Sequence, residues 1–234
     1  MTFEMAANPT PFIFDPTKTA LLVIDMQVEY CSEGGYGSAL GYDTSSARAI
    51  VPNVQAAIAR ARELGMLVIF TREGHRPNLR DIPAAVIERT RQIGADIGGQ
   101  GKLGRRLTLG EPGNQIIPEL DVRPEDVEIN KPHKSCFYGT DLDVVLRSQG
   151  ITHLMHSGVA TNVCITSTIR SATDRGYWNL ALEDACAAFE PRLQAAAIEL
   201  ITGARGAFGW VSTVDKFQEA DTRSVAGSNS KLVS

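Results

Sequence analysis

The sequence predicts an α/β fold: three layers, α/β/α, built around a mostly parallel sheet of six strands. Three observations carry that prediction. Runs such as Thr19-Ala20-Leu21-Leu22-Val23-Ile24 and Met66-Leu67-Val68-Ile69-Phe70 are apolar throughout rather than at alternate positions, which marks strands covered on both faces. Segments with apolar residues at helical spacing lie between such runs. Strand and helix patterns alternate along nearly the whole chain, and that order yields parallel strands joined by crossover helices.

Taken in order, the first strand covers residues 19–25 and ends in a carboxylate, Asp25. A glycine-rich loop (Gly34, Gly35, Gly37, Gly41) leads to a helix over about 47–64, with Ile50, Val54, Ala57, Ile58 and Ala61 on one face and Gly65 as its stop. The second strand covers 66–71. Residues 72–118 are rich in glycine, proline and arginine, with one short helix over about 84–92; so long a loop inside a compact domain usually has a function. Strands at 126–130, 153–158, 179–183 and about 209–213 then alternate with helices over about 141–149, 164–175 and 193–201. Thr161 or Asn162 is placed to cap the second of these helices. A single domain is expected over residues 1–234, with 1–15 and 220–234 as peripheral tails.

Composition narrows the function classes. Of 234 residues 43% are apolar and 21% charged, and the formal net charge is -4, an ordinary globular balance with no basic face for nucleic acid. Lys102, Arg105 and Arg106 cluster locally, as a solvated loop also would. No apolar run is long enough to span a membrane and no basic-then-apolar leader precedes the first strand, so a cytoplasmic protein is expected. Cys31, Cys136, Cys164 and Cys186 lie far apart without C-x-x-C spacing, which fits reduced thiols rather than a zinc site or a disulfide framework.

Ligands of open parallel sheets bind outside the carboxyl ends of the strands. Three reactive residues fall there: Asp25 closes the first strand, Lys131 follows the third, and Cys164 follows the fourth. Each alone has a plain structural reading, Asp25 as a cap, Lys131 as a surface ammonium, and Cys164 as a small apolar filler. Together they are chemically complementary. In the first turn of a helix, Cys164 would meet free N–H groups and the positive end of the helix dipole, which favour a thiolate over the ordinary thiol of pKa ~8.5.

These residues carry a resemblance. Val23-Ile24-Asp25-Met26-Gln27, Lys131 to Phe137 (KPHKSCF) and Gly158 to Cys164 (GVATNVC) resemble, in order, three motifs of the isochorismatase-like cysteine hydrolases, over about residues 15–217. The resemblance implies an isochorismatase-like, Rossmann-like fold, with Cys164 as nucleophile, Asp25 as general base and Lys131 as the cation that orients and polarises the pair. It also implies an oxyanion hole from the N–H groups of Ala160 and Cys164, and a cis peptide at Val159-Ala160. Homo-oligomers, dimers or tetramers, are common in the family.

Related nicotinamidases hold zinc through an Asp-x-His segment after the second strand. Here that segment reads Thr71-Arg72-Glu73-Gly74-His75-Arg76-Pro77, so no metal and no other cofactor is expected. Isochorismatases proper break an ether bond and usually lack the cysteine; its presence points to amide hydrolysis. Residues 71–77, Arg91-Gln92-Ile93-Gly94-Ala95 and the stretch from Gly110 to Leu120 look like biuret hydrolases, while Gly34-Gly35-Tyr36 and Phe208-Gly209-Trp210-Val211-Ser212 look more like ureidoacrylate amidohydrolases. Where biuret hydrolases carry a substrate-touching glutamine, this chain reads Gly203-Ala204-Arg205-Gly206, which leaves room for a longer ureide such as triuret. The expected partner is therefore a small ureido substrate. Such a molecule is all donors and acceptors and needs matching polar groups. Gln27, Glu73, His75, Arg76, Lys134 and Asn162 are the candidates, with Phe137 and Tyr138 as flat walls. His153 and His156 read as core or interface residues and Cys136 as packing. A competing reading is a noncatalytic binding protein of the same fold, which the presence of Asp25, Lys131 and Cys164 argues against.

Overall fold

The computed structural model describes residues 1–222. Strands β1 (Phe3–Met5) and β2 (Phe12–Phe14) precede β3 (Thr19–Ile24). Then come α1 (Val28–Cys31), α2 (Tyr36–Ala39), α3 (Ser45–Ala49), α4 (Val51–Glu63), β4 (Leu67–Glu73), α5 (Ala84–Gln92) and a small ribbon, β5 (Gln100–Gly101) and β6 (Gly104–Arg105). The remainder is β7 (Val127–Lys131), α6 (Leu142–Ser148), β8 (His153–Val159), α7 (Thr166–Thr173), β9 (Trp178–Ala187), α8 (Pro191–Gly206), β10 (Trp210–Ser212), α9 (Val214–Gln218) and β11 (Asp221–Thr222).

Six strands form the central sheet in the order β10-β9-β8-β3-β4-β7, every neighbouring pair parallel. Its middle strand β3 is buried at all six positions, as a strand covered on both faces must be. Leu21, Val23, Val68, Phe70, Met155 and Leu180 face a layer that includes Val54, Ala57 and Ile58 of α4 and Phe217 of α9. Alternate residues, Ala20, Leu22, Ile24, Ile69, Ile129 and Leu154, pack with Leu142 and Leu146 of α6 and Ile169 and Ala172 of α7. The register sets Ile24 beside both Thr71 and Gly158, and Glu73 beside Lys131, so the carboxyl ends of four strands meet along one edge. Gly158 lies at φ +108°, and a Cβ there would collide with the backbone of Ile24; only glycine lets β8 run this close.

Several boundaries differ from the sequence expectation, each for a local reason. The helix expected over 47–64 is two helices that meet at Ile50, because Pro52 in the first turn of α4 has no N–H to continue the preceding ladder. Strand β9 runs ten residues instead of five, with a register irregularity against β8 between His156 and Gly158. Residues 1–15 are not a peripheral tail: β1 pairs antiparallel with β2 and with β11, and Met5, Phe12 and Phe14 are buried in the core. Ala220 is buried and residues 221–222 close that small sheet; the rest of the expected tail, 223–234, lies outside the described residues. Among the described residues no helix is long and apolar enough to cross a membrane.

Candidate active site

Strand β7 exposes one face and buries the other, so period-two alternation carries Lys131 inward with Ile129. A lysine buried without a counter-charge would lose its proton, so it must find anions. It finds two. Lys131 Nζ lies 2.7 Å from Asp25 Oδ2 and 3.3 Å from Glu73 Oε2, and donates to the His133 carbonyl at 2.9 Å and to Cys164 Sγ at 3.5 Å. Asp25 follows β3 in a left-handed conformation, φ 52°, and its Oδ1 accepts from Thr71 Oγ1 at 2.7 Å. The chain leaves β8 through Gly158 and a cis Val159-Ala160 peptide, then enters a single wide π-helical turn, Thr161–Ile165, which carries Cys164. Ala160 takes the cap position with no side-chain bond; Thr161 and Asn162 fall within the turn and so do not cap it. Asp25, Lys131 and Cys164 thus converge from three strand ends.

The fourth member of the cluster is Glu73, at the end of β4. Cys164 Sγ donates to Glu73 Oε2 at 3.5 Å, and Lys134 Nζ donates to Oε1 at 2.5 Å. The backbone of Glu73 is clasped: Gln27 accepts from its N–H at 2.8 Å and donates to its carbonyl at 3.1 Å, and Asn114 donates to the same carbonyl at 2.9 Å. Gln27 also bridges to Ile116, which ties the long segment after β4 to the sheet edge.

Burial dominates the electrostatics. It pushes the Asp25 carboxyl up, against the pull of Lys131 and with the help of Glu73. It pushes the Glu73 carboxyl up as well, but Lys131 and Lys134 overcome it and hold Glu73 at about 2. It would lower Lys131, yet the neighbouring carboxylates, Asp25 first and then Glu73, keep that ammonium charged. The Cys164 thiol is raised well above an ordinary thiol by burial, offset by Lys131 and reinforced by Asp25 and Glu73. The sequence expectation weighed the helix end alone; burial first, with Asp25 and Glu73 behind it, acts on the thiol in the opposite sense.

A cavity of about 220 Å³ opens over Cys164. Ala160, Asn162, Lys134 and Glu73 line its floor with the sulfur, and Tyr30, Tyr36, Tyr42, Ile93 and Phe189 form its walls and mouth. Tyr42 and Phe189 stack face to face, centroids 4.9 Å apart. Of the residues expected to touch substrate, Glu73, Lys134 and Asn162 line the cavity. The other five do not. Gln27 is spent on the Glu73 backbone. His75 is buried beside Asp81, Nδ1 to carboxylate 3.8 Å, and Arg76 is exposed with its N–H on Asp81. Phe137 packs in the core against Tyr177 beneath Arg175, and Tyr138 is 65% exposed against His133. Gly203 to Gly206, at the far end of α8, does not line the cavity either. Tyr30, Tyr36, Tyr42 and Phe189 were overlooked; they follow the carboxyl ends of β3 and β9, the places where the strand-end rule would have pointed.

Asp25, Glu73 and Cys164 offer donor atoms of metal-binding type within 4.8 Å of one another. The set does not suit a metal ion, because the Lys131 ammonium already lies against all three and supplies the positive charge.

The Isochorismatase domain family matches residues 19–216. Among solved structures, a cysteine hydrolase from Pseudomonas syringae pv. phaseolicola 1448A is 28% identical, with a TM-score of 0.72 over 88% of this chain and 95% of that one. N-carbamoylsarcosine amidase from Thermoplasma acidophilum is 26% identical, with a TM-score of 0.64 over 85% and 97%. The pyrazinamidase of Pyrococcus horikoshii, solved in complex with zinc, is 27% identical, with a TM-score of 0.66 over 84% and 99%.

Proposed function

From a chain that belongs to the isochorismatase family and sets Cys164 in the lining of one cavity with Lys131 and Asp25 buried behind it, we propose a metal-free cysteine amidohydrolase. It cleaves a C–N bond of a small linear ureido compound, of triuret or biuret type, and releases ammonia. The observation that carries this reading is Cys164 Sγ on the cavity floor, in contact with the ammonium that also binds Asp25.

The thiol proton passes to Asp25 and the thiolate adds to the terminal carbonyl carbon. The new oxyanion meets the N–H groups of Ala160 and Cys164, each such donor being worth ~3 kcal/mol in comparable sites. Asp25 returns the proton to the departing nitrogen, the C–N bond breaks, and ammonia leaves a carbonyl thioester on Cys164. Asp25 then takes a proton from water, whose hydroxide displaces the sulfur, and hands that proton to the departing thiolate; the carbamic acid released breaks down to amine and carbon dioxide. Glu73 and Lys134 offer an acceptor and a donor side by side for a substrate N–H and C=O.

A second reading has one specific observation behind it. The Arg89 side chain lines the cavity and has no ion-pair or side-chain hydrogen-bond partner among the described residues, so its guanidinium is free to receive a carboxylate, as on an N-carbamoyl acid or ureidoacrylate. The relative from Thermoplasma acidophilum, named for an N-carbamoyl acid, supports it. The test is ammonia release from triuret, biuret, ureidoacrylate and N-carbamoyl amino acids by purified enzyme. Turnover of the first two supports the leading reading, turnover of the acids alone supports the second, and none at all overturns both. Cys164→Ser abolishes turnover, at least ~10³-fold, whereas Cys136→Ser retains it; the reverse would displace Cys164 as nucleophile.

A further inference from the structure

The proton of Cys164 has a location fixed by charge balance. With the thiol intact, the carboxylates of Asp25 and Glu73 face the ammoniums of Lys131 and Lys134, and the floor is neutral. Moving the proton from Sγ to Asp25 leaves thiolate, neutral Asp25, Glu73 carboxylate and the same two ammoniums, again neutral. Losing it to water leaves three anions against two cations where Asp25, Glu73, Lys131 and Cys164 are all buried, an imbalance that low dielectric makes costly. Remove Glu73, and a thiolate beside ionised Asp25 becomes the balanced state.

We propose that Glu73 is the charge that holds Cys164 as a thiol in the resting site, so that the thiolate arises only by internal transfer of its proton to Asp25. The geometry is specific. Glu73 Oε2 is the acceptor of the thiol hydrogen bond, Oε1 is anchored by Lys134, and the backbone is fixed by Gln27 and Asn114. The same carboxylate raises both Cys164 and Asp25, after burial, in the sense this role requires.

The groups facing the sulfur are few. Asp25 comes from the end of β3, Glu73 from β4, Lys131 and Lys134 from β7 and the loop behind it, and Tyr30 from α1. Burial pushes the Tyr30 and Tyr36 phenols up, and the Cys136 thiol to about 11, so none of them ionises in the range of interest. Arg89 and Glu190 line the cavity, the His75 imidazole lies within electrostatic reach of Glu73 and Lys134, and the His133 ring packs against Tyr138; all four are retained in the variants below.

The inference rests on Cys164 as the nucleophile and not on any substrate, so its test uses none. Alkylation of Cys164 by iodoacetamide, followed residue by residue by mass spectrometry from pH 5 to 10, gives a midpoint for thiolate formation. Glu73→Gln should move it down by on the order of one pH unit or more, Glu73→Asp should keep it near that of the wild type, and Lys134→Met should move it up. Opposite shifts separate charge from damage, since a loosened fold would expose the thiol and move both midpoints the same way. Midpoints that coincide, that shift together, or a Cys164 inert in every variant would overturn the proposal, whereas a failed substrate panel leaves it untouched.

Discussion

The floor and the mouth of the cavity are built by opposite means. The floor and the layer beneath it are built at strand ends: Glu73 and Cys164 line the cavity, Asp25 and Lys131 lie behind them, and all four are buried and held by sheet register and by bonds to one another. The mouth is made of connecting segments, with Tyr36 from α2, Arg89 from α5, Ile93 just beyond it and Phe189 from the turn before α8. It is mostly apolar and partly open, Ile93 being 57% exposed. Removing a floor residue leaves a buried charge without its partner, whereas removing a mouth residue leaves a gap that solvent fills. Reaction chemistry therefore belongs to the rigid part, and choice of substrate to the part that tolerates change.

The sharpest way to break that contrast is Lys131→Met. It strands two carboxylates in the interior, and we expect a loss of about 3–5 kcal/mol in urea unfolding together with loss of turnover. Unchanged stability would mean that the floor is not the rigid element. The sheet beneath is probed by pH. Burial holds the His156 imidazole at about 4 although Asn179 Oδ1, 2.9 Å from its Nε2, favours the charged form. A folded value below the unfolded one, ~6.5, means that the unfolded chain binds the proton more tightly. This contribution is then complete above pH 6.5 and is lost as pH falls from there toward 4. Replacing His156 by Gln should flatten the acid limb of stability by up to about 3 kcal/mol, measured as unfolding midpoints across that range. The smallest effect is expected at the mouth. Phe189→Ala should raise KM about tenfold, with kcat and stability nearly unchanged; a fall in kcat of the same size would move Phe189 into the chemistry.

Legibility in the sequence divides along the same line. Both-face apolar runs disclosed the strands at 19–25 and 66–71, the alternation of strand and helix patterns disclosed the other four, and residues at carboxyl ends disclosed Asp25, Lys131 and Cys164, because a strand end has a fixed position relative to its neighbours. Glu73 was legible as a polar group near substrate but not as the acceptor of the thiol, which depends on the pairing of Glu73 with Lys131 across β4 and β7. Gln27 read as a ligand contact for the same reason: its position at a strand end was visible, its hydrogen-bond partners were not. Phe137 and Tyr138 are adjacent, yet one faces the core and the other solvent, a division set by Tyr177 and Arg175 from a distant segment. The N-terminal strands escaped notice because each is three residues long and is completed by β11, at the far end of the described chain.

The pairing of Glu73 with Lys131 makes the chemistry of this molecule a matter of odd and even. Side chains of a strand alternate between faces, so one residue inserted within 127–131 would swing Lys131 out of the floor and bring in a neighbour of the wrong parity. Two inserted residues would keep the face but move the ammonium a full step along the strand. The segment from 74 to 126 is tied to the rest of the fold at points, through Gln27 and Glu73, through Glu29 to the Leu107 N–H, and through Arg48 and Arg62 to Glu119, Asp121 and Asp126, and between those points it keeps no strand parity. Length change during divergence should accumulate there, at the mouth's own supplier, while β3, β4 and β7 keep their count.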